Sequence, residues 1–115
     1  MEPALILPPE RDERWDLARQ IGVKHAVVNT MNIGDDHRYE GYDELLRLFN
    51  RFKNSGLELS VIEESFPQTN KTVLGKDGRD DEIGRFCEFL RNAGRAGLDT
   101  VCYDWMATRW ARTDT

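Results

Sequence analysis

The sequence has little of several things, and each scarcity excludes a class of protein. Two cysteines occur among 115 residues. Cys87 and Cys102 form no CxxC pair, and neither His25 nor His37 stands at a metal-ligand spacing from them. A disulfide framework or a zinc ribbon is therefore excluded, and two free, buried thiols in a reducing compartment are expected. Basic residues are outnumbered, 16 against 21 acidic, for a formal net charge of −5. No Lys/Arg stripe of the kind that nucleic-acid phosphates require is present, so no nucleic-acid partner is expected. The apolar run in the opening MEPALILPPERDERW is too short for a signal peptide or a membrane span. A soluble, cytoplasmic chain with no membrane partner is the expectation. Hydrophobic residues nonetheless make up 39%, enough for a core, and the length suits one small domain.

What is present is a repeated unit. IGVKHAVVN, SGLELSVIE and AGLDTVCYD each run from a glycine through an apolar stretch to a polar residue. Aligned on Gly22, Gly56 and Gly97, the seventh residue after the glycine is Asn29, Glu63 or Asp104. Stretches apolar at successive positions suit parallel strands covered by helices. A helical pattern precedes each glycine. RDERWDLARQIG puts Trp15, Ala18 and Ile21 near one face. YDELLRLFNRFKNSG aligns Leu45, Leu48, Phe49 and Phe52, and RDDEIGRFCEFLRNAGRAG aligns Ile83, Phe86, Phe89 and Leu90. Acidic residues open the second and third helices, where the helix dipole favours them, and the glycines fall where a left-handed cap is needed. With a short strand ALILP in front, the order is β-α-β-α-β-α-β: an α/β fold of about four parallel strands alternating with three helices.

In such folds the carboxyl ends of the strands carry ligand sites. Asn29, Glu63 and Asp104 are the candidates for that rim, and Glu64 stands beside Glu63. A polar residue is equally needed wherever a strand enters solvent, so the spacing alone leaves both readings open. His25 reads as a structural histidine within a strand and His37 as part of a solvated loop. Cys87 and Cys102 read as core. Trp105, Arg109, Trp110 and Arg112 form an aromatic and cationic cluster. Indole faces can stack on sugar C–H groups and guanidinium can bind a carboxylate bidentately, while packing of a loop or a subunit interface is the plainer role. Lys71 and Arg79 also lie on the rim side, and Arg79 has acidic neighbours to pair with.

GLELSVIEES, Lys71, LGKDGRDDEI, AGLDTVCYDWM and WARTD, taken in order, resemble the amino-terminal part of the mannonate dehydratases. The likeness runs through most of the chain and is densest from Gly56 onward. Three departures stand out. Glu63 and Glu64 occupy a place where the family has one Glu before Ser, which leaves open which of them is its counterpart. Asp104 and Trp105 stand where Asn and Phe are expected. The stretch between Met106 and Trp110 is one residue short.

The resemblance implies a (β/α)8 barrel that removes water from D-mannonate to give 2-keto-3-deoxy-D-gluconate in hexuronate (glucuronate) breakdown. It implies a divalent metal, Mn²⁺ or Fe²⁺, acting as a Lewis acid on the substrate, and a homo-oligomer at full length. A full barrel needs about 250 residues, so residues 1–115 are expected to be the amino-terminal half of such a domain, a fragment. The family's metal ligands are expected on later strands and none in this chain. The substrate-side candidates that follow are Asn29, Glu63, Glu64, Asp104, Trp110 and Arg112, and no catalytic residue is assigned. Two alternatives stand beside this reading: a sugar isomerase or epimerase on the same barrel, and a non-catalytic half-barrel that self-associates.

Overall fold

The computed structural model describes residues 1–30, 39–65 and 71–104, with backbone alone at Glu64, Ser65 and Asp104. The elements follow the expected order: β1 (Ala4–Ile6), α1 (Glu13–Gln20), β2 (His25–Asn29), α2 (Tyr42–Asn54), β3 (Glu58–Ser65), α3 (Arg79–Ala96) and β4 (Thr100–Asp104). The strands form one parallel sheet in the order β1-β2-β3-β4. Each strand thus lies beside the next in sequence, as consecutive βα units of a barrel do.

The repeat in the sequence is a repeat of helix endings. Gly22, Gly56 and Gly97 all have positive φ (84°, 75° and 100°). Each glycine N–H donates to a carbonyl three residues back (Arg19, Lys53, Gly94), at 3.1 Å in all three cases. The following apolar residue donates five residues back: Val23 to Ala18, Leu57 to Phe52 and Leu98 to Ala93, at 2.9–3.1 Å. This double bond pattern is the Schellman motif. It turns the chain from helix into strand with the same geometry three times, and it buries Leu57 and Leu98.

Alternation along the strands separates two faces. Ala26, Val28, Leu59 and Ile62 are buried under the helices, and Val101 packs against that core from β4. Trp15 and Ala18 of α1, Leu45, Leu48 and Phe52 of α2, and Phe89, Ala93 and Ala96 of α3 cover them. Two expectations are corrected here. Ile21 ends α1 as its cap residue and is exposed, and on α3 the buried stripe continues through Ala93 and Ala96. Ile83 and Leu90 lie at its edge and are exposed. Ala93 and Ala96 thus take the buried positions toward the end of α3.

Polar ties hold the helices in place. Arg51 of α2 donates to the Pro9 carbonyl at 2.7 Å and pairs with Glu10 at 2.7 Å. Arg85 of α3 grips both oxygens of Glu40 at 2.8 and 3.0 Å, and Asn92 donates to the Glu40 carbonyl at 3.1 Å. Asp12 caps α1, accepting from the Arg14 N–H at 3.0 Å.

Candidate functional site

The face opposite the helices carries the candidate site, and the strand register decides which residues share it. Asn29 of β2 pairs with Glu63 of β3, and Glu63 pairs with Cys102 of β4. Val28, Ile62 and Val101, one residue earlier on each strand, belong to the helix-covered core. Asn29, Glu63 and Cys102 therefore project from the other side, side by side on three neighbouring strands near their carboxyl ends. Asn29 and Glu63 are half-buried and Cys102 is exposed.

The backbone beneath this row is fixed. Thr30 donates from its N–H at 3.0 Å and from its hydroxyl at 3.2 Å to the Glu63 carbonyl oxygen. A shift in register between Ala26 and Val27 inserts Ser60 as an extra residue in β3. Such a bulge re-aims the side chains that follow it. Without it, Glu63 would fall on the face that Ile62 occupies.

Register corrects two expectations. Asp104 does not stand level with Glu63; it pairs with Ser65, two residues further along. Cys102 does not join the helix-covered core; it lies on the opposite face of the sheet, as the β4 residue level with Glu63. The physical reason is stagger: strands that close into a barrel tilt and slip relative to one another. Counting from the cap glycine takes no account of that slip. β2 and β3 stay level because the bulge compensates for it, whereas β4 runs two residues ahead.

The loop entering α3 is pinned near the same end. Thr72 donates to the Glu82 carboxylate from its N–H at 2.8 Å and from its hydroxyl at 2.5 Å. Arg79 donates to the Gly75 carbonyl at 3.2 Å and has the Asp80 carboxylate 3.8 Å away. Its acidic neighbour and the loop backbone thus hold Arg79. Lys71 passes so close to Gly78 that a Cβ there would meet its Nζ at 3.3 Å.

His25 lies at the other end of β2. Its Nδ1 is 2.8 Å from the Ser60 hydroxyl and its Nε2 is 3.0 Å from Glu2. Four residues of strand, about 13 Å, separate it from the Asn29 row. Among the described residues, no group of three or more His, Cys, Asp or Glu side chains could hold a metal ion. His37, Trp105, Arg109, Trp110 and Arg112 lie outside the described residues, as do the side chains of Glu64 and Asp104. The row itself offers a carboxylate, an amide and a thiol, a set suited to hydrogen-bonding the hydroxyls of a polar ligand.

The family model for D-mannonate dehydratase (UxuA) matches residues 14–115. The chain belongs to the D-mannonate dehydratase family. Mannonate dehydratase from Streptococcus pneumoniae is 37% identical over 73 residues, covering 63% of this chain and 20% of the relative. Mannonate dehydratase 2 from Halalkalibacterium halodurans is 39% identical over 72 residues, covering 62% of this chain and 21% of the relative. The crystal structure of mannonate dehydratase from Streptococcus suis serotype 2 superposes with a TM-score of 0.79 at 27% identity, covering 99% of this chain and 33% of that one. The chain thus spans about a fifth of the length of the curated dehydratases it matches and a third of the solved one. The four strands and three helices are part of the mannonate dehydratase fold, in agreement with the partial barrel expected from the sequence.

Proposed function

We propose that this chain is the amino-terminal portion of a mannonate dehydratase, an enzyme that removes water from D-mannonate to give 2-keto-3-deoxy-D-gluconate in hexuronate catabolism. The observation that carries the reading is the family match over residues 14–115 together with the superposition over 99% of the chain. The substrate would lie against the sheet face that bears Asn29 and Glu63, with Asp104 at the end of β4 and Glu64, Trp110 and Arg112 as further candidates. The resemblance implies Mn²⁺ or Fe²⁺ in the whole enzyme. The described residues do not fit such a metal, and we assign its ligands to other parts of the protein. A cytoplasmic location follows from the metabolic role; no helix among the described residues is long and apolar enough to cross a membrane.

Apolar side chains are left exposed at both edges of the unit. Leu5, Leu17 and Ile21 lie at the β1 and α1 edge, and Ile83, Leu90 and Tyr103 at the α3 and β4 edge. Large exposed apolar groups beside two open strand edges support further βα units packing on either side. We place those units in the same polypeptide, completing a barrel that assembles as a homo-oligomer. The intact mass of the native protein tests this. A mass well above 13.3 kDa is expected, with no D-mannonate turnover by the isolated 115 residues supplied with Mn²⁺. A native mass near 13.3 kDa would favour the self-associating half-barrel instead.

A further inference from the structure

We infer that Glu63 is the residue of this chain that hydrogen-bonds the hydroxyls of the sugar acid, on a shelf completed by Asn29 and Cys102. The inference rests on the proposed function and deepens it. GLELSVIEES ends in two adjacent carboxylates, and the sequence leaves open which of them faces the ligand. The register selects Glu63, because it is level with Asn29 on one side and with Cys102 on the other. It also faces away from the core that takes in Ile62.

Three features suit the position to a polyol. The Ser60 bulge aims Glu63 off the helix side, and the two Thr30 donors hold its backbone, so the carboxylate is presented from a fixed support. The two oxygens of a carboxylate can accept from neighbouring hydroxyls at once, and a side-chain amide such as that of Asn29 carries both donors and an acceptor. Cys102, a small side chain, is the β4 neighbour of Glu63 on the same face. Glu58, on the same strand, lies at the opposite end beside His25, where it is level with β2's first residue.

The two cysteines make the test internal to one protein. Cys102 reports on the shelf, while Cys87 lies on α3, across the sheet from it. The native protein is alkylated with iodoacetamide, with and without D-mannonate, and each site is followed by peptide mass mapping. Affinity for D-mannonate is measured separately by calorimetry on the native protein and on Glu63→Gln and Glu58→Gln. At ligand ten times its Kd, alkylation of Cys102 is expected to slow about tenfold, with Cys87 unchanged. Glu63→Gln is expected to weaken binding about ten- to hundredfold, as loss of charge-assisted hydrogen bonds does, and Glu58→Gln to leave it within about twofold. If D-mannonate binds but Cys102 is unprotected, or Glu63→Gln binds as tightly as the native protein, the inference is overturned and the proposed function stands. If D-mannonate does not bind the native protein at all, the proposed function falls and the inference with it.

Discussion

The indole of Trp15 lies on the ring of Phe52, with centroids 3.9 Å apart and planes 24° from parallel. Both side chains are fully buried, and Trp15 Nε1 donates to the Pro8 carbonyl at 3.0 Å. One contact therefore joins α1, α2 and the end of the β1 segment. Phe52 is also the residue whose carbonyl accepts from Leu57 in the α2 cap. Phe52→Ala is expected to cost about 3–5 kcal/mol, as emptied aromatic sites in cores do. Trp15→Phe loses the hydrogen bond and part of the ring volume and should cost less. Urea unfolding of the two variants gives the order directly.

The repeated helix caps make a prediction that separates backbone strain from crowding. A Cβ at Gly97 would meet the Phe49 ring at 3.7 Å, an ordinary contact, and one at Gly22 would meet nothing within 4 Å. Space is therefore available at both sites, and only the positive φ penalises a side chain. Gly97→Ala and Gly22→Ala should each lower stability by about 1–2 kcal/mol. Asn, which tolerates the left-handed region, should be milder at both. A much larger loss at Gly97 alone in thermal melts would point to crowding against Phe49.

At the start of α1, the hydrogen bond from the Arg14 side chain holds the Asp12 carboxyl below the ordinary carboxylate value, and the backbone N–H of Arg14 adds to it. The folded state therefore favours the ionised form. The resulting contribution to stability is fully present above the unfolded-state value and is lost as pH falls through the folded one. Asp12→Asn keeps a capping oxygen but not the charge. Its melting temperature should lie below that of the native chain at neutral pH, and the two should converge in strongly acid solution.

Glu82 anchors the loop before α3 through Thr72. Removing its carboxylate in Glu82→Ala leaves the Thr72 N–H and hydroxyl without that acceptor. Hydrogen exchange at the Thr72 amide should rise about tenfold, the equivalent of one ordinary hydrogen bond. Glu82→Gln, which keeps an acceptor oxygen, should exchange more slowly than Glu82→Ala. Equal rates in the two variants would mean that Glu82 does not hold the loop.

Much of this was readable in the residues because it is local. The glycine-to-strand repeat is visible in sequence since each Schellman cap needs one glycine and one apolar residue after it. The Leu45, Leu48 and Phe52 stripe follows from helical period alone. Relations between strands were not readable in the same way. Whether Cys102 or Asp104 stands level with Glu63 depends on stagger and on a bulge at Ser60, neither of which leaves a mark in composition or spacing. Cys102 resembled a core residue because it sits between Val101 and Tyr103. Its pairing with Glu63 puts it on the face opposite the helix-covered core. On α3, two alanines took the buried positions that period alone gave to Ile83 and Leu90.

Turnover of D-mannonate by the native protein tests the central claim most directly. With Mn²⁺ or Fe²⁺ supplied, loss of water and accumulation of 2-keto-3-deoxy-D-gluconate are expected, followed by mass spectrometry. Unchanged D-mannonate, or a sugar converted to an isomer of the same mass, would contradict it.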